Sequence, residues 1–309
     1  MHILEGYLPL VQAVAWTAAS TPSVVLGVRH LAARGGDTRM RLSAASAFTF
    51  LLSALKIPSV AGSCSHPTGT ALGTLLVGAV VMAPVTAVVL AFQALLLAHG
   101  GITTLGANVF AMGVVGPWVA VGVFRVGRRL GAPMLWAAGA AAVLGDLATY
   151  LTTSLQLAFA HPEVAGTVSA SFVRFAGVFG LTQVPIALLE GLLTVLVLRA
   201  LPADTLGTLA LLQPEVARAA VARLSRRHVI VPAALALIGV AVLGLGLTPG
   251  TRVGTDDAAR ALVSQAPLPR LIETPVPSAT AERVIFAVQG VGALVVLLIT
   301  LAGVRRRRA

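Results

Sequence analysis

Charge is scarce in this chain. Asp, Glu, Lys and Arg make up only 11% of its 309 residues, against roughly a quarter in soluble domains. A soluble fold of this length would need far more polar surface. Cysteine is nearly absent as well: Cys64 alone excludes an internal disulfide framework and a cysteine-cluster metal site. The only lysine, Lys56, lies in LKIPSV, so there is no G-x-x-x-x-G-K-[ST] loop to cradle ATP phosphates. Neither H-E-x-x-H nor G-x-S-x-G occurs, and no nucleophile–base pair is recognisable, which points away from an enzyme. Aromatic residues reach only 5%, and the basic residues behind the +11 charge sit in short loops without aromatic interleaving. That distribution follows the positive-inside rule rather than a nucleic-acid face.

What the chain has in abundance is apolar sequence, 57% of its residues. Runs of helix length, each able to cross ~30 Å of hydrocarbon, recur from end to end, without the ~10-residue alternation of barrel strands. The reading is an all-α integral membrane protein. Spans are expected at about 8–28, 43–58, a pair within 69–98 split near Pro84, then 107–125, 133–159 and 175–199. These make a seven-helix bundle over residues 1–200. A cytoplasmic linker follows at 201–228, whose segment PEVARAAVARLSRRH is basic and amphipathic, as in helices lying on anionic lipid. Residues 229–309 form a two-helix module, with spans at about 229–247 and 284–304 around a polar extracytoplasmic loop.

The first basic residue, Arg29, follows the first apolar run, so no cleavable signal is expected and the N-terminus lies outside. Arg125, Arg128, Arg129 and Arg199 then mark cytoplasmic helix ends, and Arg305 to Arg308 anchor the C-terminus in the cytoplasm.

The chain begins Met1-His2. In an N-terminal X-His unit the free α-amine, the amide nitrogen of His2 and the imidazole Nδ1 close a five- and a six-membered ring on one metal ion. Three coplanar donors thus come from two residues, and one planar position stays open for another imidazole. His66, in SCSHPTG before the third span, His99 at the end of the fourth and His161 all fall on the outer face; His99 could instead cap its helix. A planar four-nitrogen site favours Ni(II) or Cu(II), and raw affinity ranks Ni(II) above Co(II).

At these residues the chain resembles a known family. MHILEGYLP, SCSHPTGTALG and LLLAHGGITTLGANVFAMGVVGP are similar to the signature segments of the CbiM family, the substrate-capture subunits of energy-coupling-factor cobalt importers. Within residues 229–304, GTDDAARAL and PSATAERVIFAVQG resemble CbiN, the small two-helix companion subunit, so the resemblance implies a natural fusion of the two. It further implies that the Met1 amine, His2 and His66 hold the metal; His99 stays the alternative ligand by its position alone. Residues 100–108 look like the family's lid-side loop, with Thr103 and Asn108 orienting the imidazoles. Glu5 is left two roles, bonding to the N-terminal segment or facing water. The SCSHPTG segment looks like the cobalt branch of the family. The expected cargo is therefore Co2+, supplying cobalamin biosynthesis, with Ni2+ as the alternative. The implied partners are a CbiQ-like transmembrane coupling subunit and CbiO-like ATPases. No catalytic residue and no resident cofactor are expected.

Three features remain outside the resemblance. Asp146 and Glu190 lie within spans, where charges are costly and face the bundle interior. They read either as a polar track for metal release or as interhelical hydrogen bonding to groups such as Gln183. Ala13, Ala15, Ala18 and Ala19 give the first span a small-residue surface on which the coupling subunit could dock. A self-contained secondary transporter or channel working through Asp146 and Glu190 is the rival reading.

Overall fold

The computed structural model describes residues 2–33, 37–55, 57–58, 63–97 and 99–201. Met1, the linker from residue 202 onward and the two-helix module expected at 229–309 lie outside the described residues.

Three short strands come from two separated stretches: β1 (His2–Ile3), β2 (Ile57–Pro58) and β3 (Ser63–Ser65). The helices are α1 (Leu10–Ala32), α2 (Asp37–Ala54), α3 (Thr70–Val77), α4 (Ala79–Leu97), α5 (Leu105–Val109), α6 (Gly116–Arg129), α7 (Met134–Ala160) and α8 (Val168–Ala200). A π-helical turn, Phe110–Val115, joins α5 to α6, so that Leu105–Arg129 is one continuous span. Among the described residues five helices are long and apolar enough to cross a membrane: α1, α4, Leu105–Arg129, α7 and α8.

Two expected spans change character. The break between α3 and α4 falls at Gly78, not near Pro84. Gly78 takes φ 90° and ψ 152°, a conformation L-residues avoid, and its N–H closes α3 on the Thr74 carbonyl at 2.8 Å. The eight residues of α3 rise only ~12 Å, too little to cross a bilayer. Proline at position 84 leaves the Val80 carbonyl without its intrahelical donor, yet α4 continues through it. Gly27 of α1 lies against that exposed backbone: a Cβ there would stand 2.5 Å from the Val80 oxygen. The neighbouring helix shields the defect, as membrane bundles do around proline. The second expected span also shifts, because α2 starts at Asp37 and carries Asp37, Arg39 and Arg41 in its opening turns.

Burial is inverted relative to a soluble protein. Leu181, Leu130 and Trp136 face outward at 84%, 81% and 76% exposure, whereas Thr49, Ser53, Gln93, Asp146, Thr149, Gln156, Gln183 and Glu190 are buried. Apolar surface costs nothing in lipid, and the polar groups find partners inside. Close helix contact makes this possible. A Cβ on Gly191 of α8 would stand 3.0 Å from the Gly139 carbonyl of α7, so these two helices meet backbone to backbone. Of the four alanines expected as a docking face, Ala13, Ala15 and Ala19 are buried against the chain's own helices, and only Ala18 is exposed. α1 uses that surface to pack on α4 and α5, so it is not open to a partner.

Two large apolar cores and a smaller one, Leu90, Val109 and Met112, fill the bundle. One gathers Phe48, Leu52, Leu72, Met82 and Phe124 around α2, α3, α4, α6 and α7. The other gathers Ile3, Leu8, Trp16, Tyr150, Leu157 and Phe179, and seats the N-terminal segment inside the fold.

Candidate metal centre

The site is built by threading β1 between two supports. On one edge β1 pairs antiparallel with β3, His2 opposite Cys64 and Ile3 opposite Ser63; β2 completes the sheet in the order β1-β3-β2. On the other edge an asparagine replaces a strand. Asn108 Oδ1 accepts from the Ile3 N–H at 2.8 Å, and Asn108 Nδ2 donates to the Ile3 carbonyl at 3.0 Å. The Thr104 hydroxyl donates to the same carbonyl at 2.7 Å. With every backbone group of Ile3 paired and its side chain fully buried, the direction of the preceding residue is set.

The loop from residue 100 to 104 is clamped to the same segment. The Glu5 carboxylate accepts from the Thr103 N–H at 3.1 Å and from the Thr103 hydroxyl at 2.5 Å. Gly101 permits the contact, because a Cβ there would stand 2.7 Å from the backbone nitrogen and Cα of Glu5. Glu5 therefore bonds to this loop, not to the N-terminal segment as expected. Thr103 and Asn108 act differently from the expectation: they orient the N-terminal backbone and its acid, not the imidazoles. Thr104 was not anticipated. It lies one turn before Asn108, and that i, i+4 spacing on the lid-side loop was the available signal.

The second histidine is held from below. His66, Pro67, Thr68 and Gly69 form an irregular turn ahead of α3, with Gly69 at φ 67°. Glu190 Oε1 accepts from the Gly69 N–H at 2.9 Å and from the Thr68 hydroxyl at 3.0 Å, while Oε2 accepts from the Thr68 N–H. Gln183 Nε2 donates to the His66 carbonyl at 3.1 Å and to Asp146 Oδ2 at 2.7 Å. Both buried acids thus support the His66 turn, Glu190 directly and Asp146 through Gln183. The hydrogen-bonding expectation for Asp146 and Gln183 is met, and for Glu190 the partners are the Thr68 hydroxyl and the loop backbone.

Three imidazoles converge between these supports. The rings of His2 and His66 have centroids 4.2 Å apart, His2 and His99 4.5 Å, and His66 and His99 5.3 Å. All three side chains are buried, and one ligand atom from each lies within 4.8 Å of the others. Both ring nitrogens of His2 are buried without a hydrogen-bond partner among the described residues, an arrangement that costs stability unless something fills it. The Pro67 carbonyl, 2.8 Å from His66 Nδ1, can only accept, so that nitrogen carries the proton and the lone pair falls on Nε2. Burial, reinforced by the neighbouring imidazoles, pushes the pKa of His2 well below its usual 6.5, and burial does the same to His66. Both are neutral at physiological pH, the form that binds a metal.

His99 reaches the cluster from the end of α4. Its backbone N–H bonds to the Gln93 carbonyl at 3.1 Å and closes that helix, so the helix-capping role falls to the backbone while the ring joins His2. His161 is elsewhere, with Nε2 2.9 Å from the Tyr7 carbonyl and Nδ1 3.1 Å from Glu163. Met1 lies outside the described residues.

Residues 2–204 match the family model described as CbiM, cobalt uptake substrate-specific transmembrane region. The chain belongs to the CbiM family. Similar CbiM relatives include cobalt transport protein CbiM 2 of Pelobacter propionicus, 56% identical over 204 residues, which span 65% of this chain and 90% of that protein. Cobalt transport protein CbiM of Streptomyces coelicolor is 50% identical over 68% of this chain and 91% of its own length. A crystal structure described as a truncated transition metal transporter superposes with a TM-score of 0.59 at 24% identity, over 64% of this chain and 97% of that one, which shows a shared fold. As a CbiM-family member with five membrane-capable helices among the described residues, the chain is a multi-pass membrane transport component rather than an enzyme.

Proposed function

We propose that this chain captures Co2+ at the outer face of the cell membrane and serves as the substrate-binding component of an ATP-driven energy-coupling-factor importer that supplies cobalamin biosynthesis. The observation that carries the reading is the buried trio His2, His66 and His99, within reach of one ion. Three imidazoles suit a late first-row divalent metal and hold Ca2+ or Mg2+ poorly. The names of the relatives support cobalt.

His2 and His66 are the principal ligands. If residue 1 is the mature N-terminus, the Met1 amine and the His2 amide nitrogen complete a planar four-nitrogen set with His2 Nδ1 and His66 Nε2. Ile3 turns its N–H and C=O toward Asn108 and Thr104, so strand alternation turns those of His2 toward β3. A metal taking the His2 amide nitrogen exchanges that side of the ladder for a coordinate bond and releases a proton.

Without a P-loop in this chain, energy comes from partners: a CbiQ-like coupling subunit and CbiO-like ATPases. The module at residues 229–309 acts as a fused CbiN-like unit that helps load the site, with the N-terminus outside and the C-terminus in the cytoplasm. Ni2+ is the alternative cargo. A self-contained secondary transporter using Asp146 and Glu190 is disfavoured, because both carboxylates are engaged in holding the His66 turn.

The test is metal analysis and titration of the purified chain with Co2+ and Ni2+ in competition. His2→Ala, His66→Ala and an N-terminal extension should each lower Co2+ affinity at least a hundredfold while the protein stays monodisperse. Unchanged Co2+ binding in the extended protein would refute the amine ligand; unchanged binding in both histidine variants would refute the site.

A further inference from the structure

We propose that Asp146 is the counter-charge of the captured ion and makes the histidine trio select divalent over monovalent cations. This rests on the metal centre proposed above and adds a positioning residue to it, one that acts through charge rather than by ligation. The centre and the acid each lack what the other carries. Imidazoles bind a metal through lone pairs and bring it no negative charge. A divalent ion taken from water into this buried cluster therefore keeps its charge in a medium that screens it poorly. Loss of the His2 amide proton would cancel one of the two charges and leave the other.

Asp146 has the opposite deficit. It lies near the middle of α7 and is only 1% exposed, at a depth where a carboxylate is costly without a cation. No arginine or lysine is buried among the described residues. The two buried acids are also unequal. Glu190 accepts from the Thr68 N–H, the Thr68 hydroxyl and the Gly69 N–H, so both of its oxygens are engaged. Asp146 has one donor, Gln183 Nε2 on Oδ2, and its Oδ1 is buried with no hydrogen-bond partner among the described residues. Gln183 Oε1 is buried and unpartnered too, and as an acceptor it gives Asp146 no relief.

The fold ties the two deficits together. The Gln183 carboxamide that donates to Asp146 Oδ2 at 2.7 Å also donates to the His66 carbonyl at 3.1 Å. A single amide group thus separates the acid from the backbone of a metal-binding residue. Coulomb energy scales with the charge of the ion, so a field that raises the affinity of a monovalent ion about tenfold raises that of a divalent one about a hundredfold. Imidazoles alone do not make that distinction, since they also bind the monovalent coinage-metal ions. The charge on Asp146 sets a preference that the donor type leaves open.

The experiment titrates the purified full chain with Co2+ and, in chloride-free buffer, with Ag+ as the monovalent probe. A Cys64→Ser background is used throughout, to remove the competing thiol. Asp146→Asn keeps an oxygen to accept from Gln183 and gains an amide to donate to Gln183 Oε1, so it removes the charge without loosening the turn beneath His66. Its metal-free unfolding midpoint should hold, while Co2+ affinity falls about a hundredfold and Ag+ affinity about tenfold. Asp146→Ser, smaller and equally uncharged, carries the same comparison where the asparagine variant fails to fold. Equal losses for the two ions would show that Asp146 only supports the turn, and unchanged Co2+ affinity would show that it bears no charge beside the bound ion. A second Co2+ per chain, lost in Asp146→Asn while the first is kept, would show that the acid holds an ion of its own. Each of these three results overturns the counter-charge. Failure of the parent chain to bind Co2+ at all overturns the metal centre instead.

Discussion

Asn108→Ala should weaken metal capture without dismantling the bundle. The side chain holds Ile3 by two hydrogen bonds, of 2.8 and 3.0 Å, in the manner of a neighbouring strand. Each neutral bond contributes a net of about 0.5–1.5 kcal/mol, so the pair contributes about 1–3 kcal/mol to docking β1. Thr104 still holds the Ile3 carbonyl in the variant, but the Ile3 N–H is left buried without an acceptor. Undocked β1 withdraws His2, and apparent affinity falls with the fraction of chains in which His2 is in place. At 1.4 kcal/mol per decade, the loss of Co2+ affinity reaches roughly 5- to 150-fold. Calorimetric titration of the detergent-purified protein measures it. Asn108→Asp is the sharper control, since a carboxylate accepts from the Ile3 N–H but meets the Ile3 carbonyl with no proton. It should bind metal no better than the alanine variant. Wild-type affinity in both variants would refute the claim that Asn108 seats the metal-binding strand.

Two further outcomes follow from the electrostatics and the turn beneath His66. The folded-state pKa values of His2 and His66 lie below 6.5, the unfolded value, so as pH falls below about 6.5 the unfolded chain takes up protons that the folded chain does not. The stability they contribute is complete above that pH and declines below it. Thermal unfolding of the metal-free protein from pH 8 to pH 5 should show a falling midpoint, with a shallower slope in the His2→Gln, His66→Gln double variant; equal slopes would contradict the burial argument. Glu190→Ala leaves the Thr68 and Gly69 N–H groups buried without their acceptor, at about 1–3 kcal/mol each. Its unfolding midpoint and Co2+ affinity should drop together, with Glu190→Gln milder because one acceptor oxygen remains. An unchanged midpoint in Glu190→Ala would show that the turn does not depend on the acid.

Composition and hydropathy disclosed the membrane class because bilayer thickness imposes length and apolarity on each span directly. The break between α3 and α4 was read at Pro84 because proline removes a local hydrogen bond and so leaves a mark in sequence. What preserves α4 at Pro84 is Gly27 on another helix, and what ends α3 is the positive φ of Gly78; neither is visible from residues near position 84. The alanines of α1 misled for a related reason. A small-residue surface signals close helix approach, and sequence does not say whether the approaching helix belongs to the same chain.

The metal site divides along the same line. His2 and His66 were legible because chelate chemistry and a proline-glycine turn act over a few residues. The devices that aim them act over long separations: Asn108 and Thr104 reach back about 100 residues to Ile3, and Glu190 reaches back 122 to Thr68. His99 was the hardest to read, since a histidine after a helix is fully explained by capping. Only the placement of its backbone on Gln93 and its ring beside His2 separates the two roles. A donor set drawn from sequence alone was therefore planar, and it ranked nickel first on chemical grounds. The fold adds a third buried ring beside them, carried by a helix end that no local pattern ties to His2.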